Sequence, residues 1–257
     1  MKFGGYEISI LVQGFPGKTV CHGGLGWSTI ALLRGHGRVA LIDCGSIGVR
    51  KFLMQQLATH GLKPADVTDV ILTHAHYDHI LNWTMFSHAR ITIGEAELAW
   101  ALKQPWGQTA VPELYVRELE RWPTAARLVE GSEALPGLKT YMAPGHTPGH
   151  LIFVLKGEEY DVIFTGDAVK NRAEFLCGRV DMTLDAAASS KSVNEVWNHW
   201  RSRPGNIVIP GHDLPMHLVD GRPQYIGQRN ATVEAWFGDD IETTTAFDLK
   251  VEADPQS

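Results

Sequence analysis

The segment Thr73-His74-Ala75-His76-Tyr77-Asp78-His79 packs three imidazoles and a carboxylate into six residues, directly after the apolar run Val70-Ile71-Leu72. Imidazole and carboxylate together form a donor set for divalent metals of the zinc type. Side chains of an extended chain alternate, so His74 and His76 share a face while the backbone stays extended. Asp78 and His79 are adjacent and reach one site only if the chain turns there, as it does where a strand runs into a loop. Three more segments repeat the pattern. Gly145-His146-Thr147-Pro148-Gly149-His150 is a turn-rich stretch with imidazoles, Ile163-Phe164-Thr165-Gly166-Asp167 an apolar run ending in a carboxylate, and Ile207-Val208-Ile209-Pro210-Gly211-His212 an apolar run ending in Gly-His. Functional groups on loops held by a rigid sheet are the expected arrangement. Taken singly, each of His146, Asp167 and His212 is more often a turn, cap or surface residue.

The elements that must carry these groups alternate between strand and helix. Residues 7–15, 29–33 and 38–43 read as strands, the last two joined by the hairpin signal Arg34-Gly35-His36-Gly37. Residues 49–60 have helical spacing and stop at Gly61. Strands are expected at 70–72 and 89–93, and a helix at 95–103. Between 104 and 136, Pro105, Pro112, Pro123 and Pro136 interrupt two short helical stretches. A second strand pair falls at 151–155 and 162–165, a helix at 189–201 and the last core strand at 207–209. Residues 224–237 read as a terminal helix and the acidic remainder as loose chain. No repeat or linker divides the sequence, so 1–257 reads as one domain.

The bulk properties agree with an enzyme-sized α/β unit. The chain has 257 residues, 44% of them hydrophobic and 20% charged, with formal charge −6, enough apolar material for one large core. No run approaches the ~18 apolar residues of a membrane span. The start, Met1-Lys2-Phe3-Gly4-Gly5-Tyr6-Glu7, has no basic and then apolar stretch of a signal peptide. Cys21, Cys44 and Cys177, odd in number and far apart, read as reduced thiols of a cytoplasmic protein. The net acidity and the lack of a basic block oppose nucleic-acid binding. The expected partner is a small molecule, with no nucleic acid and no membrane; the oligomeric state is left open, a homodimer included.

The segments His74–His79, Gly145–His150, Thr165-Gly166-Asp167 and Pro210-Gly211-His212, in this order and preceded by Leu41-Ile42-Asp43-Cys44-Gly45, resemble the metallo-β-lactamase superfamily of hydrolases. The resemblance covers about residues 6–217, with 100–136 as an insertion or lid candidate and 218–257 as a C-terminal extension. It implies an αβ/βα four-layer sandwich of two mixed β-sheets flanked by helices. It implies two Zn²⁺ per chain, or Mn or Fe in their place. His74, His76 and His146 would hold the first metal, Asp78, His79 and His212 the second, and Asp167 would bridge, with Asp78 and Asp167 in the catalytic machinery and a hydroxide shared by the metals as nucleophile. Seven ligand types in family order outweigh the bland reading of each, because buried charge without a partner is costly. By the same resemblance His150, Asp43 and Thr73 stand behind the ligands.

The branch is narrower than the family. The superfamily's diiron flavoproteins carry Glu where this chain has His76, which favours zinc, and antibiotic-degrading members generally place Cys or Ser near Asp167. Lactonases usually have Tyr three residues after the bridging Asp, where this chain has Lys170. Thioesterases carry Gly-Cys-Gly-Lys/Arg, of which Cys177-Gly178-Arg179 is a partial match. The expected activity is hydrolysis of an ester, lactone or thioester. The alternatives are a mononuclear iron persulfide dioxygenase-like oxidoreductase, a phosphodiesterase or nuclease, and a metal-binding protein without turnover. Lys170, Arg172 and Arg179 are candidates for a substrate carboxylate, though solvated surface charge suits each equally. Trp106 and Trp122 are lid candidates, with core packing as the other reading, and His22 is a candidate from an early loop.

Overall fold

The structure is a computed structural model that describes residues 2–21 and 23–249. Its strands in chain order are β1 Lys2–Phe3, β2 Tyr6–Val12, β3 Lys18–Thr19, β4 Gly23–Gly24, β5 Ile30–Gly35, β6 Arg38–Ile42, β7 Asp69–Ile71, β8 Arg90–Gly94, β9 Ala125–Leu128, β10 Glu133–Leu135, β11 Leu138–Met142, β12 Leu151–Leu155, β13 Val162–Gly166, β14 Ile207–Pro210, β15 Met216–Val219, β16 Arg222–Tyr225, β17 Thr232–Ala235 and β18 Thr245–Asp248. The α-helices are α1 Arg50–Thr59, α2 Tyr77–Ile80, α3 Glu95–Ala101, α4 Glu113–Glu120, α5 Arg172–Cys177 and α6 Ala186–Arg201. One seven-stranded sheet has the order β1-β2-β5-β6-β7-β8-β9 and the other β10-β11-β12-β13-β14-β15-β16. Both are mixed: β6, β7, β8 and β9 run parallel, as do β13 and β14, and the remaining pairs are antiparallel.

Alternation along single strands builds the four layers. Ala31 and Leu33 of β5 face Phe153, Leu155 and Phe164 of the second sheet, in the core between the sheets. Leu32, one residue out of phase, packs on the other face against Leu53 and Leu57 of α1. In β12, Leu151 and Phe153 point into the inter-sheet core, while Ile152 and Val154 pack under Val193, Val196 and Trp200 of α6. A strand buried on both faces reads as an unbroken apolar run, which is why these segments were visible in the sequence. The observed architecture is the expected αβ/βα sandwich.

Four expectations need correction. Residues 224–237 form no helix. Asp220 and Gly221, both with positive φ, turn the chain into the β15–β16 hairpin, where Pro223 sits in an edge strand that tolerates its missing N–H. Downstream, β17 pairs with β18, so part of the supposedly loose acidic remainder is a hairpin; residues 250–257 lie outside those described. The 104–136 stretch holds one α-helix, α4, and its end belongs to the sheets as β9 and β10. Helix α6 starts earlier than its apolar spacing suggested, because the Asp185 side chain accepts from the N–H groups of Ala187 and Ala188. Among the described residues no helix is long and apolar enough to cross a membrane.

Candidate metal centre

The parallel strands deliver the donors to one end of the sandwich. Past β7 the chain bends at Thr73 and runs through His74 to His76, which precedes α2 with extended dihedrals (φ −77°, ψ 150°). The short helix α2 then turns Asp78 and His79 inward. His146 lies in the turn before β12, Asp167 follows β13, and His212 follows β14. Donor atoms of His74, His76 and His146 lie within 4.8 Å of one another, as do those of His74, His79 and Asp167, and those of Asp78, His79 and His212. His146 Nε2 is 2.9 Å from His76 Nδ1 and 3.3 Å from Asp167 Oδ2. His212 Nε2 lies 3.3 Å from both Asp78 Oδ2 and Asp167 Oδ1. Asp167 thus touches both groups of imidazoles.

Two glycines allow this convergence. Gly166 has φ +46°, and a Cβ there would come within 2.8 Å of Thr73 and 2.9 Å of His150 Nε2. A Cβ on Gly211 would meet Asp167 Oδ1 at 2.3 Å.

Behind the donors, Asp43 occupies the left-handed region (φ +56°) at the end of β6, a conformation that Asp adopts more readily than most residues. It accepts from the Thr73 N–H at 2.8 Å, the Thr73 hydroxyl at 2.9 Å and His79 Nδ1 at 2.7 Å. With its proton given to Asp43, the Thr73 hydroxyl accepts from His74 Nδ1 at 3.0 Å. His74 therefore keeps Nε2 as its available lone pair, as does His79 when its ring is neutral. Both Nε2 atoms and Asp167 Oδ1 are buried without a hydrogen-bond partner. Buried polar atoms are rarely left so, and lone pairs of imidazole and carboxylate aimed at one another fit a divalent cation between them. His150 is fully buried and its Nε2 accepts the N–H of Asp167 at 3.0 Å, so it holds the carboxylate's backbone.

Electrostatics divides the cluster. Burial, with the neighbouring His79, pushes His74 well below the usual imidazole range. Burial also takes His76 down to about 4, against the pull of Asp167 and Asp78. Burial opposes protonation of His212 too, but Asp167 and Asp78 outweigh it and raise the group to about 9. His79 is raised well above its ordinary value in the same way, burial being overcome by Asp167, Asp43 and Asp78. Burial would raise Asp78, yet His79 and His212 bring it down to about 2.

The sequence profile of the metallo-β-lactamase superfamily matches residues 23–212. The chain belongs to the metallo-β-lactamase superfamily. Similar members include the rat (Rattus norvegicus) metallo-β-lactamase domain-containing protein 1, 29% identical over 182 residues that cover 70% of this chain and 63% of that protein. The chain therefore spans a little under two thirds of this relative's length. An N-acyl homoserine lactonase of Bacillus cereus is 31% identical over 161 residues, 60% of this chain and 59% of that one. Among solved structures, AidC, a dizinc quorum-quenching lactonase in complex with its product, superposes with TM-score 0.63 at 17% identity, over 79% of this chain and 80% of its own; at that identity the likeness concerns the fold.

The substrate candidates fare unevenly within this superfamily fold. Lys170 is nearly buried, its ammonium bonded to Glu174 at 3.1 Å and to the Asp181 carbonyl at 2.6 Å; burial above all, and its charge to a lesser degree, lower His76, His146 and His150. Arg172 lies over the Tyr225 ring at 5.4 Å. Arg179 is exposed just past Gly178, the left-handed cap of α5, so the Cys177-Gly178-Arg179 stretch is a helix end. Trp122, half-buried, packs edge-on against buried Trp83 and donates to the Ser87 carbonyl, contacts that suit the core-packing reading. Trp106 is exposed beneath the Arg117 guanidinium. Trp100 stands near the donors, its ring 6.3 Å from that of His76. His22 lies outside the described residues. Sequence reasoning missed Glu97, Asp213 and Arg229. Asp213 directly follows His212, pairs with buried Arg229 and accepts from the Arg172 N–H and the Tyr225 hydroxyl; the Asp next to His212 was its one available signal.

Proposed function

We propose that the protein is a metal-dependent hydrolase with a two-metal centre of the zinc type, opening an ester or lactone bond of a small molecule. The observation that carries this reading is the convergence of seven donor side chains, with the buried Nε2 of His74 lacking any hydrogen-bond partner and the buried Nε2 of His79 and of His212 facing Asp167 Oδ1 at 3.2 and 3.3 Å. In the proposal His74, His76 and His146 hold one cation, Asp78, His79 and His212 the other, and Asp167 lies between. Such a pair, when bound, supplies an electrophile for the scissile carbonyl and acidified water near neutral pH. The chain's own part is positional. Asp43 and Thr73 fix the ring orientation of His74 and His79, and His150 fixes the backbone of Asp167. Exposed apolar side chains border the ligand loops: Tyr77 between His76 and Asp78, and Leu184, whose N–H donates to the Gly145 carbonyl. Together with the lactonase relative, this apolar rim favours a lactone or ester with an apolar acyl group over a phosphodiester. The test is metal analysis of protein purified without chelator, followed by turnover on lactones, esters, thioesters and phosphodiesters. About two equivalents of metal with lactone or ester turnover is expected. One iron per chain, or turnover confined to phosphodiesters, would overturn the reading.

A further inference from the structure

Glu97 stands in the first turn of α3, fully buried, and its hydrogen bonds go to none of the seven donor side chains. Its Oε1 accepts the N–H of Ala75 at 2.9 Å. Its Oε2 accepts the Thr147 hydroxyl at 2.7 Å and the N–H of Gly149 at 3.1 Å. Ala75 lies between His74 and His76. Thr147 follows His146, and Gly149 precedes His150. One carboxylate therefore joins the two loops that together present the three-histidine group. The fit is close: a Cβ on Gly149 would meet the Glu97 backbone nitrogen at 2.1 Å.

Helix stability does not ask for this residue. A carboxylate in the first turn favours a helix equally well in solvent, where Glu95 already sits. A buried one without a cation is costly, and burial pushes Glu97 up to about 7 against the bonds from Thr147, Ala75 and Gly149. What the position requires is an acceptor-only group facing three donors from two different loops.

We infer that Glu97 is a positioning residue that sets the spacing of the His74/His76 loop and the His146 loop, and so the metal affinity of the three-histidine subsite. The inference rests on the proposed metal centre and adds to it a residue that neither ligates nor meets substrate. Glu97→Gln is the informative variant. Gln has nearly the same shape, but one oxygen becomes NH₂. Either the Ala75 N–H or the Gly149 N–H then faces a donor, and the two loops are no longer tied at both ends.

The experiment titrates chelator-treated protein with Zn²⁺ against a chromophoric chelator, in wild type and E97Q, and repeats both in a His212→Ala background that leaves the three-histidine subsite. Circular dichroism and melting of the metal-free proteins are recorded alongside. Removal of an outer-shell partner typically weakens metal binding by about 10–100-fold. E97Q is expected to lose roughly tenfold or more for the equivalent that survives in the His212→Ala background, with wild-type dichroism and little change in metal-free melting. Thr147→Val, which removes one of the three bonds and leaves both backbones alone, should give a smaller loss at the same equivalent; it carries the test if E97Q does not fold. Wild-type affinity in both variants, or equal weakening of both equivalents alongside a large drop in metal-free melting, would overturn the inference. A wild type that binds no divalent cation overturns the metal-centre reading together with this one, whereas a loaded wild type and an indistinguishable E97Q overturn this one alone.

Discussion

His146 and Asp167 carry little of the sandwich's apolar packing, because each stands on a loop beyond a strand end. His146→Ala and Asp167→Asn are therefore expected to abolish turnover and leave circular dichroism unchanged; substantial residual activity in pure variant would contradict their assigned places. Asp43 allows a finer test. Asn tolerates the left-handed conformation that Asp43 adopts, so Asp43→Asn separates charge from backbone strain. It should keep the fold and weaken metal binding by about 10–100-fold, the range for outer-shell partners, read by Zn²⁺ competition titration. The donor residues were legible in the sequence because their chemistry sits in contiguous motifs such as His74-Ala75-His76 and Gly211-His212. Glu97 and Arg229 were not. Each acts through partners far along the chain, Ala75 and Gly149 for Glu97, Gly14 and Asp213 for Arg229, and nothing in the local spelling of an acid on a helix or a basic residue near the end reports such a contact.

At the scale of elements, the two tryptophans of the Pro-broken stretch part company. Trp122 stacks edge-on against fully buried Trp83. Trp122→Ala should lower stability toward the lower end of the ~3–5 kcal/mol seen for large aromatic truncations, since the ring is only half-buried. Trp106 is exposed under Arg117, and Trp106→Ala should cost no more than the ~0.5–1 kcal/mol of an exposed cation–π contact. Denaturant melts of both variants check this, and a Trp106 variant as destabilised as the Trp122 one would contradict the assignment. Strands with two buried faces, β12 and β13 above all, were readable as continuous apolar runs. The 224–237 segment misled because its polar and apolar residues fit a helical wheel as well as a strand, and the deciding fact is the Asp220-Gly221 turn that folds it back on β15. The two-helix reading of 104–136 failed for a related reason: prolines mark where elements end, and do not say that the next one, β9, adds to the sheet edge beside β8.

For the molecule as a whole, the cluster ties stability to pH and to metal. In chelator-treated protein two sets of histidines oppose each other about the unfolded value of ~6.5. His212, held at about 9, and His79, held higher than usual, bind protons more tightly folded than unfolded. Their contribution is fully present below ~6.5 and is lost as pH rises through the folded values. His76, brought to about 4, and His150, brought to about 3, with His74 and His146 also lowered, resist protonation when folded. Their contribution is present above ~6.5 and is lost as pH falls toward those values. Asp78, depressed to about 2, adds stability above ~3.8 that fades as pH falls through 2. The metal-free protein should accordingly melt highest near pH 6.5 and lower on both sides. Zn²⁺ changes the alkaline limb. In the proposed centre it needs His79 and His212 neutral and so competes with their protons, and its stabilisation follows its affinity. The gap in melting temperature between Zn²⁺-loaded and chelator-treated protein should therefore widen from pH 6 to pH 9. Thermal melts of both forms at pH 5, 6.5, 8 and 9 measure it. A metal-free melting temperature that keeps rising between pH 6.5 and 9 would mean that His79 and His212 are not held protonated by Asp43, Asp78 and Asp167, and that those carboxylates do not meet at this end of the sandwich.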